Sequence, residues 1–526
     1  MKKNILLLLT FFICGIDAYP QKLPQIYINT NGQWISDEPK ITASMKITVN
    51  DTVMYDSYIG IETRGSSSQG YPKKSYSVET RDAMGNDNVV SLMGFPPETD
   101  WVFYAPYSDK STVRDILTHY LFNSMGRYSP RTQYCELYIN NEYMGIYVCI
   151  EKIKRDKNRV NISKLEPNEI SGDNVTGGYI LSFDRASSNG FYSSYKFSNN
   201  SNAYPFYEIR YPKPEDLAPE QKIYIKNFIY NFETVMKSAS YDDPANGYSK
   251  FIDVPSFVDY ILLTEINKNI DGYRLSTYMH KDADSKGGKL VAGPPWDYNF
   301  AYGWADYGDA KNYKNFYFNS DQTYDGLPFS FWWPKLANEW KFKHLLYDRW
   351  NQLKNKFLHP DSVFAFINKT VVPVRSEIDH NFQRWPIIGT YVWANPYVFD
   401  SVDSEYSYLK GWYKSRWEWL DVNIAKLATA VDEKNTVTIG FSVSEAYPNP
   451  FNPETTIDIK SDSDQPISVK LLDVMGREIK TLFNGSIAPN IGKSISLNGT
   501  QLSNGIYFIS VTGITGTQVR KIVLIK

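Results

Sequence analysis

Seven β-rich segments follow one another between Gln25 and about Ile150, and they constrain the fold more than any other feature of the sequence. Each segment is short, rich in β-branched or aromatic residues and bounded by turn residues; in order they are QIYINT, SMKITV, YIGIETRG, KKSYSVET, WVFYAP, QYCELYI and MGIYVCI. A helix interrupts them, because Ser111 or Thr112 can cap VRDILTHYLFNSMG and Gly126 can end it. This part of the chain is therefore predicted to be a β-rich unit that carries one helix.

The middle of the chain alternates between strands and amphipathic helices. GGYILSF is a predicted strand that leads into Asp184, and the predicted helices are PEDLAPEQKIYIKNFIYNFETVMKS and VPSFVDYILLTEINKNID. YRLSTYMH and KLVAGPPWDYNF then read as two strands joined by a turn at residues 284–288. The Trp-rich segment 331–429 reads as mostly helical. Since large aromatics at helical spacing are more often core than binding site, we expect this segment to brace the domain.

The composition changes near Asp432, where a tail rich in Ser, Asn and Gly begins. Its short alternating strands, such as TIDIK, ISVKLLD and YFISVTG, predict a small all-β, immunoglobulin-like sandwich. A chain of 526 residues is also too long for one ordinary hydrophobic core. We therefore expect an α+β domain over residues 24–430 and the sandwich over residues 431–526.

The first residues, MKKNILLLLTFFICGIDA, combine two lysines, an apolar run and small residues near Ala18. This is the plan of a secretory signal peptide over residues 1–18, and no later apolar run approaches the length of a membrane span. The mature chain is therefore expected to be secreted or held at the cell surface, without a transmembrane segment. The net charge of −2 gives no reason to expect nucleic acid as a partner.

Cys135 and Cys149 remain after the signal peptide, and an oxidising compartment would allow them to pair. The dipeptide Asn140-Asn141 suits a two-residue hairpin turn between the strands that carry them. That register places Cys135 opposite Ile146 and turns Cys149 to the other face of the sheet. The sequence therefore predicts two separate buried thiols.

The stretch ETRGSSSQGYPKKSYSVET is the first candidate for binding chemistry. A loop with two glycines, three serines and a glutamine can turn its backbone N–H groups inward, and Arg64, Lys73 and Lys74 lie beside it. Such a loop can hold phosphates. It matches neither the Walker pattern nor the protein-kinase glycine-rich loop, so an exposed hairpin with solvated lysines is the simpler interpretation of this stretch alone.

The second candidate is a group of oxygen ligands on either side of a predicted strand pair. Asp271 follows an apolar helix, where it could simply cap the chain, and Asp297 and Asn299 follow the return strand GPPWDYN. Phosphoryl transfer needs one carboxylate to orient the attacking hydroxyl and another, with an amide oxygen, to hold Mg²⁺. Together with Glu265 these side chains could bind a hard cation, whereas five scattered histidines and two cysteines make a zinc site improbable.

Six segments of the chain form an ordered set. They are RGSSSQGYPKKSYSVE, DWVFYAPYSDKSTVRDIL, RTQYCELYINNEYMGIYVCIEKIKRDKNRV, GGYILSFDR, FVDYILLTEINKNIDGYRLSTYMHKD and GGKLVAGPPWDYNFAYG. Together, in this order, they resemble the spore coat protein H (CotH) kinase family. The resemblance covers roughly residues 26–350. It implies an atypical protein-kinase-like fold with two lobes and Mg-ATP (or Mn-ATP) in the cleft between them. The implied activity is phosphoryl transfer to Ser or Thr of secreted or surface proteins.

The resemblance also implies roles for individual residues. Asp271 is expected to be the catalytic aspartate, and Asp297 the metal-binding aspartate of the family's WD motif. Lys74, with Lys73 and Arg64 nearby, is expected to contact nucleotide phosphates, and Glu151 to form an ion pair with one of these lysines. Many members have a second acid two residues after the metal-binding aspartate, but this chain has Asn299, which offers the metal a neutral oxygen and one less negative charge.

The tail carries a second resemblance. AYPNPFNPETTIDI, LLDVMGREI, LSNGIYFISV and KIVLIK are similar to the C-terminal sorting domain of type IX secretion. The implied role is an export address read by the type IX machinery, with a generic immunoglobulin-like adhesion module as the alternative.

Three functions remain open at this point. The first is an exported kinase that uses Asp271, Asp297, Asn299 and Lys74. The second is a catalytically weak or inactive adhesin or polysaccharide-associated protein, whose aromatic surface binds sugars or proteins. The third is a metal-dependent hydrolase that uses the same acids on a phosphoester or a glycoside.

Overall fold

The structure is a computed structural model that describes residues 22–197, 203–320, 326–429, 441–489, 492–514 and 516–526. The predicted signal peptide, residues 1–18, lies outside these residues. The chain divides into two compact units between Thr429 and Ala430. Helices and sheets are both present in the first unit, and the strands described in the second form two sheets, so the α+β class with an all-β C-terminal part is confirmed.

All seven predicted strands of the N-terminal part are present, and they form a closed barrel in the order β1-β2-β3-β4-β5-β7-β6. The pairs are antiparallel except β1 with β6, which close the barrel in parallel. Aliphatic and aromatic side chains fill a core centred on this barrel. The strands are β1 (Gln25–Asn29), β2 (Ile41–Val49), β3 (Thr52–Arg64), β4 (Ser75–Arg81), β5 (Asp100–Tyr104), β6 (Thr132–Ile139) and β7 (Glu142–Glu151).

The predicted hairpin between β6 and β7 is present, with both turn residues, Asn140 and Asn141, at positive φ. The predicted register is wrong, because an irregularity between Leu137 and Tyr138 shifts the pairing and places Cys135 opposite Tyr147. Cys149 therefore points to the same face as Cys135 rather than to the other one. Both thiols are buried and free, as predicted.

A helix lies between β5 and β6, where the sequence predicts it, and begins slightly later than predicted: α1 (Arg114–Ser124). A second sheet follows, with five strands in the order β12-β11-β8-β10-β9. Its strands are β8 (Tyr179–Phe183), β9 (Gly190–Tyr192), β10 (Phe206–Tyr211), β11 (Thr277–Lys281) and β12 (Leu290–Ala292). Two long helices come between β10 and β11, namely α2 (Pro219–Lys237) and α3 (Val254–Asn267).

The Trp-rich segment contains five helices, which confirms its predicted helical character. They are α4 (Trp332–Ala337), α5 (Trp340–Leu353), α6 (Pro360–Val371), α7 (Arg375–Arg384) and α8 (Val402–Thr429). Side chains from α1 to α8 share one large core, in which Trp332, Trp333 and Trp350 are buried. None of the helices in the described residues combines the length and apolarity that a bilayer span requires.

In the described part of the second unit, two antiparallel sheets form a sandwich around one apolar core. One sheet has the order β13-β14-β17 and the other β16-β15-β18-β19. The strands are β13 (Phe441–Val443), β14 (Glu454–Ser461), β15 (Gln465–Leu472), β16 (Glu478–Ile487), β17 (Gly492–Asn498), β18 (Gly505–Gly513) and β19 (Gly516–Leu524).

Candidate active site

A cleft of about 500 Å³ in the first unit is lined both by the barrel and by the part of the chain that follows it. Its volume lies in the range of cofactor and small-molecule sites. Four of the predicted site residues line it together: Arg64, Asp271, Asp297 and Asn299. Arg64, from the first candidate stretch, therefore lines the same cleft as the oxygen ligands of the second.

Arg64 is the last residue of β3 and stands opposite Ser75, the first residue of β4. Its guanidinium carbon lies 5.2 Å from the ring centroid of Trp296, a cation–π contact across the cleft. The turn that follows depends on Gly65, whose φ is +108° and whose missing Cβ would lie 2.0 Å from the Ser68 hydroxyl. Glycine is thus required where the serine loop folds back onto the cleft.

Asp271 lies in the loop that follows α3. The helix ends with Lys268 in a left-handed conformation, and the Asn269 side chain accepts the N–H of Asp271 at 3.2 Å. An ion pair with the buried Arg274, 2.7 Å from Asp271 Oδ1, fixes the carboxylate. This ordered loop, rather than the simple helix cap considered above, presents Asp271 to the cleft.

Asp297 adopts a φ of +65°, which is uncommon for a residue other than glycine. Its side chain is exposed to the cleft, and the protein atoms that form the cleft surround it. Burial raises the pKa of Asp297 to about 6; the neighbouring Asp271 carboxylate adds to the rise and Arg64 opposes it. Asn299 is buried two residues further on, and its amide nitrogen donates to the Ser108 hydroxyl at 3.4 Å.

Three acids on the cleft were not among the predicted site residues: Asp184, Asp306 and, buried in α1, Asp115. Its Oδ1 accepts the backbone N–H of Tyr298 at 2.7 Å. Burial raises the pKa of Asp115 to about 8, and the charge of Asp297 adds to the rise. The sequence does not distinguish Asp115 as a site residue, because an acid in the first turn of a helix is an ordinary helix-stabilising feature.

The cleft carries more acid than base. Five aspartates and two arginines line it, namely Asp115, Asp184, Asp271, Asp297, Asp306, Arg64 and Arg185. A polyanionic ligand would be repelled by the ionised carboxylates among them unless cations accompany it. The charge balance therefore favours a ligand that brings divalent cations or carries positive charge itself.

The two predicted phosphate-binding lysines do not line the cleft. Lys73 is 1% exposed, and its amino group donates to the Ile146 carbonyl at 2.5 Å and to Asn381 Oδ1 at 2.8 Å. Burial lowers the pKa of Lys73 well below its usual value. The Lys74 amino group folds back onto the carbonyl of Gln69, within its own loop. Of the three predicted cations, Arg64 is the one that faces the cleft.

Glu151 lies at the end of β7, but its expected lysine partner is replaced by two arginines. The Nη1 atom of Arg131 lies 2.9 Å from Oε1 and the Nη2 atom of Arg159 lies 3.1 Å from the same oxygen. The carboxylate is fully buried and also accepts the N–H of Arg131 at 2.9 Å. Because these donors occupy both oxygens, Glu151 stabilises the barrel rather than a cofactor-binding lysine.

Glu265, the fourth candidate for cation binding, is likewise occupied. Its oxygens accept from Arg416 Nη2 at 2.8 Å, from the Tyr273 hydroxyl at 2.9 Å and from the N–H groups of Tyr317 and Phe318 at 2.8 and 2.9 Å. These contacts tie α3 to α8 and to the loop that carries Asp271. Glu265 is therefore a bracing residue behind the site.

One part of the Trp-rich segment lies on the cleft instead of bracing the core. Trp393, between α7 and α8, lines the cleft and is 45% exposed. Its ring is nearly parallel to that of Tyr307, with centroids 6.1 Å apart, and Phe300 contacts it edge-on. The expectation of bracing is thus correct for the buried α8 side chains and wrong for Trp393.

The described residues contain no group of three His, Cys, Asp or Glu side chains spaced to hold a metal ion. Two carboxylates and one amide oxygen on the cleft nevertheless fit Mg²⁺, because this ion prefers oxygen ligands and is often held by one or two carboxylates together with substrate phosphates. The amide nitrogen of Asn299 donates to Ser108, so its amide oxygen is not used in that bond and could serve as a ligand.

Both units of the chain match known family models. Residues 61–420, more than half of the chain, match the family described as CotH kinase protein, and the chain therefore belongs to the CotH kinase family. Residues 445–526 match the secretion system C-terminal sorting domain. The chain is accordingly an exported CotH-family protein with a sorting domain of the type IX kind at its C-terminal end.

Among curated proteins, the inner spore coat protein H of Bacillus subtilis (strain 168) is 20% identical over 245 residues. This match covers 47% of the present chain and 59% of that relative's length. Among solved structures, the twitchin kinase region from C. elegans aligns with 96% of this chain and 94% of its own, at 9% identity and a TM-score of 0.14. A TM-score this low does not establish a shared fold.

Proposed function

We propose that this protein is an exported kinase of the CotH family, which transfers phosphate from Mg-ATP or Mn-ATP to Ser or Thr hydroxyls of secreted or surface proteins. The observation that supports the proposal most strongly is that Arg64, Asp271, Asp297 and Asn299 line one cleft of about 500 Å³. We further propose that the barrel and the helical part act as the two lobes of a kinase-like domain, with the cleft between them.

In this proposal Asp271 accepts a hydrogen bond from the attacking hydroxyl and aligns it for transfer. The ion pair with Arg274 keeps the carboxylate in one orientation. Arg64 contacts the transferred phosphate through its guanidinium group, which can form two hydrogen bonds at once to phosphate oxygens. The aromatic residues Trp296 and Phe300 restrict water at the reacting groups.

Asp297 and Asn299 would hold the cation. When bound, Mg²⁺ neutralises charge on the phosphate oxygens and orients them for in-line attack. Two protein oxygens are enough for this task if the nucleotide supplies further ligands. The acid excess of the cleft makes the cation necessary for any polyphosphate to enter.

The proposal is tested by incubating the purified mature protein with labelled ATP and Mg²⁺ or Mn²⁺ and scoring phosphate incorporation. Asp297→Ala and Asp271→Asn should each reduce incorporation at least about a hundredfold while the thermal unfolding temperature stays close to that of the wild type. Arg185→Gln, at an exposed cleft residue outside the proposed machinery, is the matched control and should retain incorporation. Full incorporation by Asp297→Ala, or no ATP binding by the wild type, would refute the assignment.

A second function, binding without catalysis, is favoured by the exposed aromatic segment beside the cleft. This segment contains four exposed side chains, those of Tyr391, Trp393, Tyr397 and Val398. Apolar surface of this kind often marks an interaction site. Calorimetric titration with Mg-ATP and then with glycans or peptides separates the two functions, since a pure adhesin binds only the latter.

A further inference from the structure

Asp115 is 5% exposed and lies in the first turn of α1, but its carboxylate does not serve its own helix. Another acid, Asp109, accepts the N–H of Arg114, the first residue of α1, at 3.0 Å and the N–H of the preceding Ser111 at 3.1 Å. The Oδ1 atom of Asp115 instead accepts the N–H of Tyr298 at 2.7 Å. Helix capping therefore does not explain why an acid is buried at this position.

The Tyr298 N–H belongs to the peptide plane between Asp297 and Tyr298. Asp297 has a φ of +65°, a conformation that is unfavourable for a residue with a Cβ. Such a conformation persists when surrounding contacts fix it. The hydrogen bond that Asp115 accepts from the Tyr298 N–H fixes the peptide plane that follows Asp297. The side chain of Tyr298 is itself buried.

The helix contacts the same loop at a second point. Thr118, one turn after Asp115 on the same face of α1, shares a 2.9 Å hydrogen bond with the Tyr302 hydroxyl. This contact lies five residues beyond Asp297 and supports the loop without touching the segment that would hold the cation. Thr118 therefore provides a control for the general support that α1 gives to the loop.

We propose that Asp115 is a positioning residue, which holds Asp297 and Asn299 in the orientation needed for cation binding by accepting the Tyr298 N–H. The inference rests on the phosphoryl-transfer function proposed above and deepens it. Residues that orient metal ligands commonly contribute about ten- to a hundredfold to metal affinity. Asp115 acts in this way through the backbone, without contacting the cation.

The test is calorimetric titration of the full mature chain with the Mn²⁺ complex of a non-hydrolysable ATP analogue. Asp115→Leu keeps the size of the side chain but removes the acceptor, and it should weaken binding at least about tenfold. Asp115→Asn retains an acceptor oxygen and should remain within about threefold of the wild type. Thr118→Val, which removes the second contact, should also remain within about threefold.

Rescue by Asn distinguishes positioning from bulk packing, and the electron paramagnetic resonance spectrum of bound Mn²⁺ provides a second readout that should change in Asp115→Leu alone. If the Leu variant does not fold, Asp115→Ser, too short to reach the Tyr298 N–H, replaces it. Wild-type affinity in the variant without an acceptor, or an equal loss in Asp115→Asn, overturns the role of Asp115 alone. Failure of the wild type to bind the complex overturns the proposed function and this inference together.

Discussion

Arg416 of α8 donates to the carboxylate of Glu265 on α3 at 2.8 Å, and both side chains are buried. The same arginine also donates to the backbone carbonyls of Tyr313 and Asn315 at 2.9 and 2.7 Å. The last helix of the domain is in this way connected to the helix that leads into the Asp271 loop.

The first prediction follows from this ion pair. Arg416→Met leaves Glu265 buried without its cation and should destabilise the protein by about 3–5 kcal/mol, because an unpaired buried charge is costly. Chemical denaturation monitored by circular dichroism measures the loss. Adding Glu265→Gln should restore part of the stability, and purely additive effects of the two changes would contradict the coupling.

The second prediction concerns which basic side chain binds the phosphates of ATP. Arg64→Gln should raise the KM for ATP at least about tenfold, because it removes a charged donor from the cleft. Lys73→Met should leave that KM within about twofold and instead reduce stability, because the Lys73 amine is buried on Ile146 and Asn381. Lys74→Met is the control at the neighbouring position. A larger rise of KM in the Lys73 variant than in the Arg64 variant would show that the lysine turns into the cleft.

The third prediction concerns the amide at the proposed metal site. Asn299→Asp adds a negative charge beside Asp297 and should strengthen Mg²⁺ or Mn²⁺ binding by on the order of tenfold. Asn299→Leu removes the oxygen and should weaken it. Titration of nucleotide complexes against each variant provides the measurement, and unchanged affinity in both would remove Asn299 from the ligand set.

The fourth prediction is a pH dependence of stability that originates away from the cleft. Glu405 of α8 is buried, and among the described residues neither of its oxygens has a hydrogen-bond partner. Burial raises the pKa of Glu405 to about 7, while Arg114 and Lys110 oppose the rise. The folded state thus binds more protons than the unfolded state from about pH 4.5 to pH 7.

The free energy of unfolding contributed by Glu405 should therefore fall as pH rises through this window, by on the order of 3 kcal/mol, and then level off above about pH 7. Glu405→Gln should remove this component, which is measured by denaturation at several pH values. An identical pH profile in wild type and variant would show that Glu405 is not the group responsible.

The fifth prediction concerns Trp393. If acceptor proteins enter along the exposed aromatic segment, Trp393→Ala should raise the KM for the acceptor roughly tenfold and leave the KM for ATP nearly unchanged. Trp340→Ala, at a similarly exposed tryptophan on α5, is the control. Equal effects on both substrates would place Trp393 in nucleotide binding instead.

The local pattern was sufficient for the seven barrel strands, the long helices and the β6–β7 hairpin, because period-two alternation and turn residues are local signals. It gave no prediction for β9 and β10 of the second sheet. The closure of the barrel was not predictable in this way, since Ile26 and Leu137 pair in parallel across more than a hundred residues of sequence. The register of Cys135 was missed for a related reason. A β-bulge shifts the pairing of every residue beyond it, and no residue type in this hairpin indicates that a bulge is present.

The cleft position of Asp271, Asp297 and Asn299 was predictable, because their oxygen-bearing side chains follow one another along the chain at the ends of predicted elements. The basic residues were harder to assign, because Arg64, Lys73 and Lys74 differ only in which side of the loop they face. Asp115 could not be recognised, since its partner is a backbone N–H rather than a side chain. Because every residue except proline has a backbone N–H, such a contact does not require a particular residue type at the partner position.

The closure of the seven-stranded barrel by β1 and β6 has a consequence for a protein that acts outside the cytoplasm. Every strand of the barrel has two neighbours, so the barrel offers no free row of N–H and C=O groups on which another chain could template. Joining the first strand to the sixth therefore protects this part of the molecule from edge-to-edge aggregation.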